Sequence, residues 1–91
     1  MTQGTRGARS STNVLKIINE SATFPYTLAF RATSLFVSND GVDVVTISVV
    51  TPDQTESIRL IVGKSGSFFF GKPITSVNVT AGTTYQIEFG E

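Results

Sequence analysis

The chain has 91 residues, with Lys+Arg 7 against Asp+Glu 7, and it contains no cysteine, histidine or tryptophan. Charged residues are only 15% and hydrophobic residues 40%, which describes one folded domain and not a disordered polyampholyte. Disulfides, thiol nucleophiles, zinc–thiolate sites and a Ser-His-Asp arrangement are all excluded. The acids are few and scattered, so no enzyme is expected, and neither a cofactor nor a metal. No apolar run approaches the roughly 18 residues that span a bilayer, so no membrane partner is expected.

Residues 1–12 read MTQGTRGARSST. The segment carries Arg6 and Arg9, no acid, and a mixture of Gly, Ser and Thr without periodicity. It reads as a flexible basic N-terminal arm ahead of a domain at 13–91. Without a histidine or an apolar core of its own, such an arm becomes ordered only by touching something else. A neighbouring subunit is the expected surface, and an assembly built on many such weak contacts gains stability by mass action. The segment lacks the apolar stretch of a secretory signal.

Beyond the arm, Val, Ile, Thr, Phe and Tyr dominate, and no helical stripe of apolar residues occurs. Residues 13–18 form the first expected strand, with Leu15 and Ile17 on one side. Pro25 delays the next to 26–31, with Leu28 and Phe30 on one face. The run 34–38 follows and ends on Asn39-Asp40-Gly41, whose residue types suit a tight hairpin. The partner strand is expected at 42–50, where Val45, Ile47 and Val49 alternate with Val44, Thr46 and Ser48. Thr51-Pro52-Asp53-Gln54 is a turn with proline at its second position.

Residues 57–62 place Ile58, Leu60 and Val62 inward. Residues 63–66 read as a loop, and 68–70 as a short strand closed by Gly71-Lys72-Pro73. Val77 and Val79 point inward on 75–80. Tyr85, Ile87 and Phe89 alternate with Gln86 and Glu88 on 84–89. About seven or eight short alternating strands, with no helix for a parallel crossover, describe an all-β antiparallel sandwich, the alternative being a small barrel.

Several features carry a possible interaction. Phe68-Phe69-Phe70 cannot all enter one core, because consecutive strand side chains point to opposite faces. Either two are buried and the third covers an edge, or Phe69 anchors a subunit interface, where aromatics are enriched. Val42, Val44, Val50 and Ile61 add apolar character on the faces opposite the core, which suggests a covered surface. The strand at 13–18 could lie on an exposed edge of a neighbour. The candidate interface residues are therefore Arg6, Arg9, Leu15, Ile17, Phe68, Phe69 and Phe70.

Other patterns have plainer readings. Asn39, Asp40 and Asp43 offer three side chains where a calcium site needs six to eight oxygens. Gly63-Lys64-Ser65-Gly66-Ser67 lacks phosphate-loop spacing and leads into a strand. Arg6, Arg9 and Lys16 are too few, and lack interleaved aromatics, for nucleic-acid binding. With tryptophan absent, a glycan is not the expected partner.

From Ser34 onward the chain resembles a small β-sandwich module of tailed-bacteriophage virion proteins. The residues that carry the resemblance are Leu35-Phe36-Val37-Ser38-Asn39-Asp40-Gly41, Leu60-Ile61-Val62-Gly63 through Ser67-Phe68, Lys72-Pro73-Ile74-Thr75-Ser76-Val77-Asn78-Val79, and Tyr85-Gln86-Ile87. Such modules occur in tail, baseplate, fibre-anchor and head-decoration proteins. The resemblance implies a virion location and a non-enzymatic structural role, foremost a capsid decoration, cement or accessory protein assembling as a homo-oligomer. The implied partners are other copies and virion proteins such as a major capsid protein. The alternative is a tail or baseplate part, or a carbohydrate- or receptor-binding module.

Overall fold

A computed structural model describes residues 14–91 as eight strands in two four-stranded antiparallel sheets. In chain order they are β1 (Val14–Asn19), β2 (Tyr26–Thr27), β3 (Ser34–Asn39), β4 (Val45–Val50), β5 (Thr55–Leu60), β6 (Ser65–Phe69), β7 (Ser76–Ala81) and β8 (Tyr85–Gly90). Sheet 1 runs β1-β8-β3-β6 and sheet 2 runs β2-β7-β4-β5. The expected sandwich is thus the observed architecture. The arm at 1–12 and the expected start of β1 at Asn13 lie outside the described residues.

The period-two alternation fills the space between the sheets. Leu35, Val37, Ile87 and Phe89 from sheet 1 meet Val45, Ile47, Val49, Ile58, Leu60 and Val77 from sheet 2. Phe89 is the aromatic centre of this core. Its ring stacks on Tyr26 at 5.6 Å and meets the edge of Phe30 at 5.7 Å. Such pairs stabilise beyond their buried area.

Four expectations change. Asn39-Asp40-Gly41 does not close a hairpin, because β3 and β4 belong to different sheets. The segment is a crossover, and no residue in it takes positive φ. Gly41 is required for another reason. A Cβ there would lie 2.6 Å from the Thr83 hydroxyl and 2.9 Å from the Thr84 nitrogen, so the crossover packs directly on the β7–β8 connection. The β4–β5 link is a true hairpin, closed by Thr51 N–H donating to the Gln54 carbonyl at 2.9 Å.

The strand expected at 26–31 pairs only over Tyr26–Thr27. Residues beyond Leu28 leave sheet 2 for sheet 1, where Thr33 N–H reaches the Gly90 carbonyl, and no single ladder can follow that path. Leu28 and Phe30 still pack against the core. Val62 points to solvent and not inward, because β5 ends at Leu60 and the chain turns at Gly63, whose φ is +77°. Finally, the loop expected at 63–66 ends early. β6 begins at Ser65, since its ladder with β3 pairs Ser38 with Ser65 and Val37 with Gly66.

Candidate interaction surface

Asn39 organises one end of the sandwich. Its buried side chain donates through Nδ2 to the Asp43 carbonyl at 2.9 Å and to the Leu60 carbonyl at 3.0 Å. Its Oδ1 accepts the Gly41 N–H at 3.1 Å, and its own N–H reaches the Lys64 carbonyl. A side chain that bridges its own following turn in this way is a common role for asparagine. The three side-chain bonds commit Asn39 to backbone, while Asp40 accepts from the Ser38 hydroxyl at 2.8 Å. Of the three side chains noted in the sequence, those of Asn39 and Asp40 are thus engaged in holding this end of the sandwich, while Asp43 contributes its backbone carbonyl.

The consequence is an apolar end. The β3–β4 crossover carries Val42, which is 82% exposed, and the turn after β5 carries Ile61 and Val62, both about half exposed. Asn39 holds the residues adjoining both segments within hydrogen-bond reach of one amide. None of these three side chains belongs to the core.

Sheet 1 carries the remaining exposed apolar residues on its outer face. Leu15 and Ile17 occupy the β1 edge and Phe69 the β6 edge, Phe69 being 67% exposed. Phe68 and Phe70 instead pack partly buried against the core. Of the three aromatics in the run, Phe69 alone is exposed. Arg6 and Arg9 lie outside the described residues. Among the described strands, β1 and β6 end sheet 1 and β2 and β5 end sheet 2, and an end strand is the usual template for strand addition.

The outer faces of the two sheets differ in character. On sheet 2, Thr46, Ser48, Arg59 and Asn78 look outward, and every one keeps part of its surface in water. On sheet 1, Ile17, Glu88, Phe36 and Ser67 form one cross-strand row. Glu88 is 1% exposed and Phe36 5%, although both point away from the core. The alternation along β8 places Glu88 on this face, opposite Ile87 and Phe89, but carries no sign of its burial.

An open groove of about 530 Å³ lies beside β1, with Lys16, Ile18, Ala22, Tyr26 and Gln86 among its walls. Its aromatic, Tyr26, already spends a ring face on Phe89. After β1, Glu20 accepts the Tyr85 N–H at 3.3 Å. Burial, with the Glu20 carboxylate second, raises the Tyr85 phenol above its ordinary pKa. Among the described residues no group of three or more His, Cys, Asp or Glu is placed to hold a metal. No helix among them is long and apolar enough to cross a membrane. No family model matches the chain, and no curated protein or solved structure matches it either.

Proposed function

We propose that this chain is a non-enzymatic structural protein of a phage particle, a capsid decoration or accessory subunit that assembles as a homo-oligomer on the shell. The observation that carries the reading is the apolar end: Val42, Ile61 and Val62 lie outside a core that is complete without them, and a hydrogen-bonded framework holds them in place. Rigid, pre-ordered apolar side chains lose little entropy on binding. Leu15, Ile17 and Phe69 extend the same opportunity along sheet 1. The resemblance from Ser34 onward supports the virion setting. The neighbours would be further copies of the chain and the major capsid protein, meeting through many repeated weak contacts.

The test has two parts. Gradient-purified particles of the phage that encodes the chain should contain it in many copies. Sedimentation of the purified protein should give a defined oligomer that the combined change Val42→Ser, Ile61→Thr, Val62→Thr converts to a folded monomer. A chain absent from the particles, or equally monomeric before and after the change at about 100 μM, overturns the proposal.

A further inference from the structure

The groove beside β1 has a volume of about 530 Å³, inside the range of roughly 300–1,000 Å³ usual for small-molecule sites. Its walls come from β1, the loop that follows, Tyr26 of β2 and Gln86 of β8, residues that only the fold brings together. β2 has two residues against six in β1, so sheet 2 is short on this side and leaves the space open. The walls are fixed without a ligand. The Asn19 carbonyl accepts the Ala22 N–H at 3.0 Å and its Oδ1 accepts the Ser21 N–H at 2.9 Å. Glu20 ties the same loop to β8 through the Tyr85 N–H, and the Tyr26 ring is held on Phe89. A groove ordered in advance spares the entropy of ordering it on binding.

The lining selects a ligand class. The amides of Asn19 and Gln86 and the hydroxyls of Ser21 and Thr23 both donate and accept hydrogen bonds. Beside them lie the apolar surfaces of Ala22 and the partly exposed Tyr26 ring. A pyranose presents the same pairing, with hydroxyls around its edge and C–H groups on its face that rest on a flat apolar surface. A wholly apolar ligand would instead cover these polar groups without partners. Charge narrows the class further. Among the described residues that wall the groove, the exposed Lys16 carries the only charge. The adjoining acids are not walls: Glu20 is bonded to the Tyr85 N–H, and Glu88 accepts from Gln86 Nε2 and is 1% exposed. A lysine ammonium is a compact point charge suited to one carboxylate.

We propose that this groove binds the sugar-acid unit of a glycan, a pyranose bearing one carboxylate. Lys16 takes the carboxylate, Asn19 and Gln86 take the hydroxyls, and Tyr26 with Ala22 lies under the apolar face of the ring. The groove is open and the contacts are few, so the dissociation constant for a single unit is on the order of 1–10 mM. The site lies away from Val42, Ile61 and Val62, requires no second subunit, and is independent of the virion reading.

The test follows the backbone amide resonances of the isotope-labelled full chain at neutral pH and constant ionic strength. The probes are glucuronate and galacturonate, with glucose and galactose as neutral partners and acetate as a bare carboxylate. At least one uronate should move the amides of Lys16, Asn19, Ser21, Thr23 and Gln86 saturably, and its neutral partner should bind about fivefold more weakly. Lys16→Gln should reduce the uronate to the affinity of the neutral sugar, while Lys64→Gln, exposed but outside the groove, leaves it unchanged. Both positions are exposed, and amide dispersion verifies that each variant is folded. No saturable change up to about 50 mM of either uronate, or changes centred away from the groove, overturn the proposal. Acetate that reproduces the uronate response shows an adventitious ion only and overturns it. Neutral sugars bound as tightly as uronates, or a Lys16→Gln variant with full affinity, overturn the assignment of an acidic sugar. Broadening along β1 that grows with protein concentration and blocks the uronate response assigns the groove to a second copy and overturns the sugar site.

Discussion

Asn39 donates to the Leu60 carbonyl at 3.0 Å and thereby joins the last residue of β3 in sheet 1 to the last residue of β5 in sheet 2. The bond crosses between layers that otherwise meet through apolar side chains. The same amide also fixes the Asp43 carbonyl, so one buried side chain sets the spacing of two loops.

Removal of that amide should be costly. Asn39→Ala leaves the Leu60 carbonyl without its side-chain donor in a buried position, and a stranded polar group of this kind costs about 1–3 kcal/mol. Asn39→Asp should cost at least as much, since a carboxylate cannot donate to either carbonyl. Urea denaturation measures both. A loss under about 0.5 kcal/mol for either variant refutes the bridging role.

Gly41 gives a related expectation. Gly41→Ala drives a methyl into the Thr83 hydroxyl and the Thr84 backbone nitrogen, and backbone cannot rotate aside. Overpacking of this kind costs about 1–3 kcal/mol. Alanine at an unstrained surface glycine would instead be neutral or mildly stabilising, so the sign of the change in thermal midpoint separates a close approach from a simple turn.

The Asn39–Gly41 region also marks the boundary of what the sequence discloses. The longer strands announce themselves through local alternation, as Val45, Ile47 and Val49 do, whereas β2 and the start of β6 do not. Which strand pairs with which is settled by contacts distant along the chain. Asn-Asp-Gly has the residue types of a hairpin, but β3 finds β8 and β6 while β4 finds β7 and β5, so the same residues serve a crossover. Alternation within Phe68-Phe69-Phe70 leaves two placements open, and only the folded sheet shows Phe68 and Phe70 against the core with Phe69 outside. The burial of Glu88 did not follow, because a polar residue at an alternate position ordinarily faces water. A faint signal was present in the run of serines at 34, 38 and 67 around Phe36, too small to need solvent and spaced on one face.

Phe89 should tolerate no truncation. It is fully buried and carries ring contacts to both Tyr26 and Phe30. Phe89→Ala is expected to cost about 3–5 kcal/mol. A chain of this length has a total stability of only about 5–14 kcal/mol, so the variant should lose a large share of it and melt far below the parent. A shift in thermal midpoint of only a few degrees would falsify the placement of Phe89 at the centre of the core.

Tyr85 should make stability fall in strong alkali. Its folded-state pKa is raised, first by burial and then by Glu20, so the folded chain holds a proton that the unfolded chain releases near pH 10. Below that pH both states are protonated and its contribution is fully present. As pH rises past the unfolded value and through the folded one, the contribution is lost, at no more than about 1.4 kcal/mol per pH unit. The comparison of wild type with Tyr85→Phe cancels the titration of lysines common to both. Between pH 9 and 11.5, roughly the window set by an ordinary tyrosine, the wild-type curve should drop more steeply than the variant curve, and parallel curves contradict the assignment.

The three consecutive phenylalanines offer the sharpest separation of folding from assembly. Phe68 and Phe70 are partly buried against the core, and Phe69 projects from the outer face of the β6 edge strand. Phe68→Ala and Phe70→Ala remove packed surface and should each cost about 1–3 kcal/mol, below the full penalty of a completely buried ring. Phe69→Ala removes an exposed ring and should stay within about 0.5 kcal/mol of the parent in urea. Sedimentation should rank the variants in the opposite sense. Phe69→Ala should weaken self-association about tenfold or more, the effect of an aromatic anchor at an interface, while Phe68→Ala and Phe70→Ala should associate normally under conditions where they remain folded. Should Phe69→Ala cost as much stability as its neighbours and leave association untouched, the ring belongs to the fold and the β6 edge is not the contact surface.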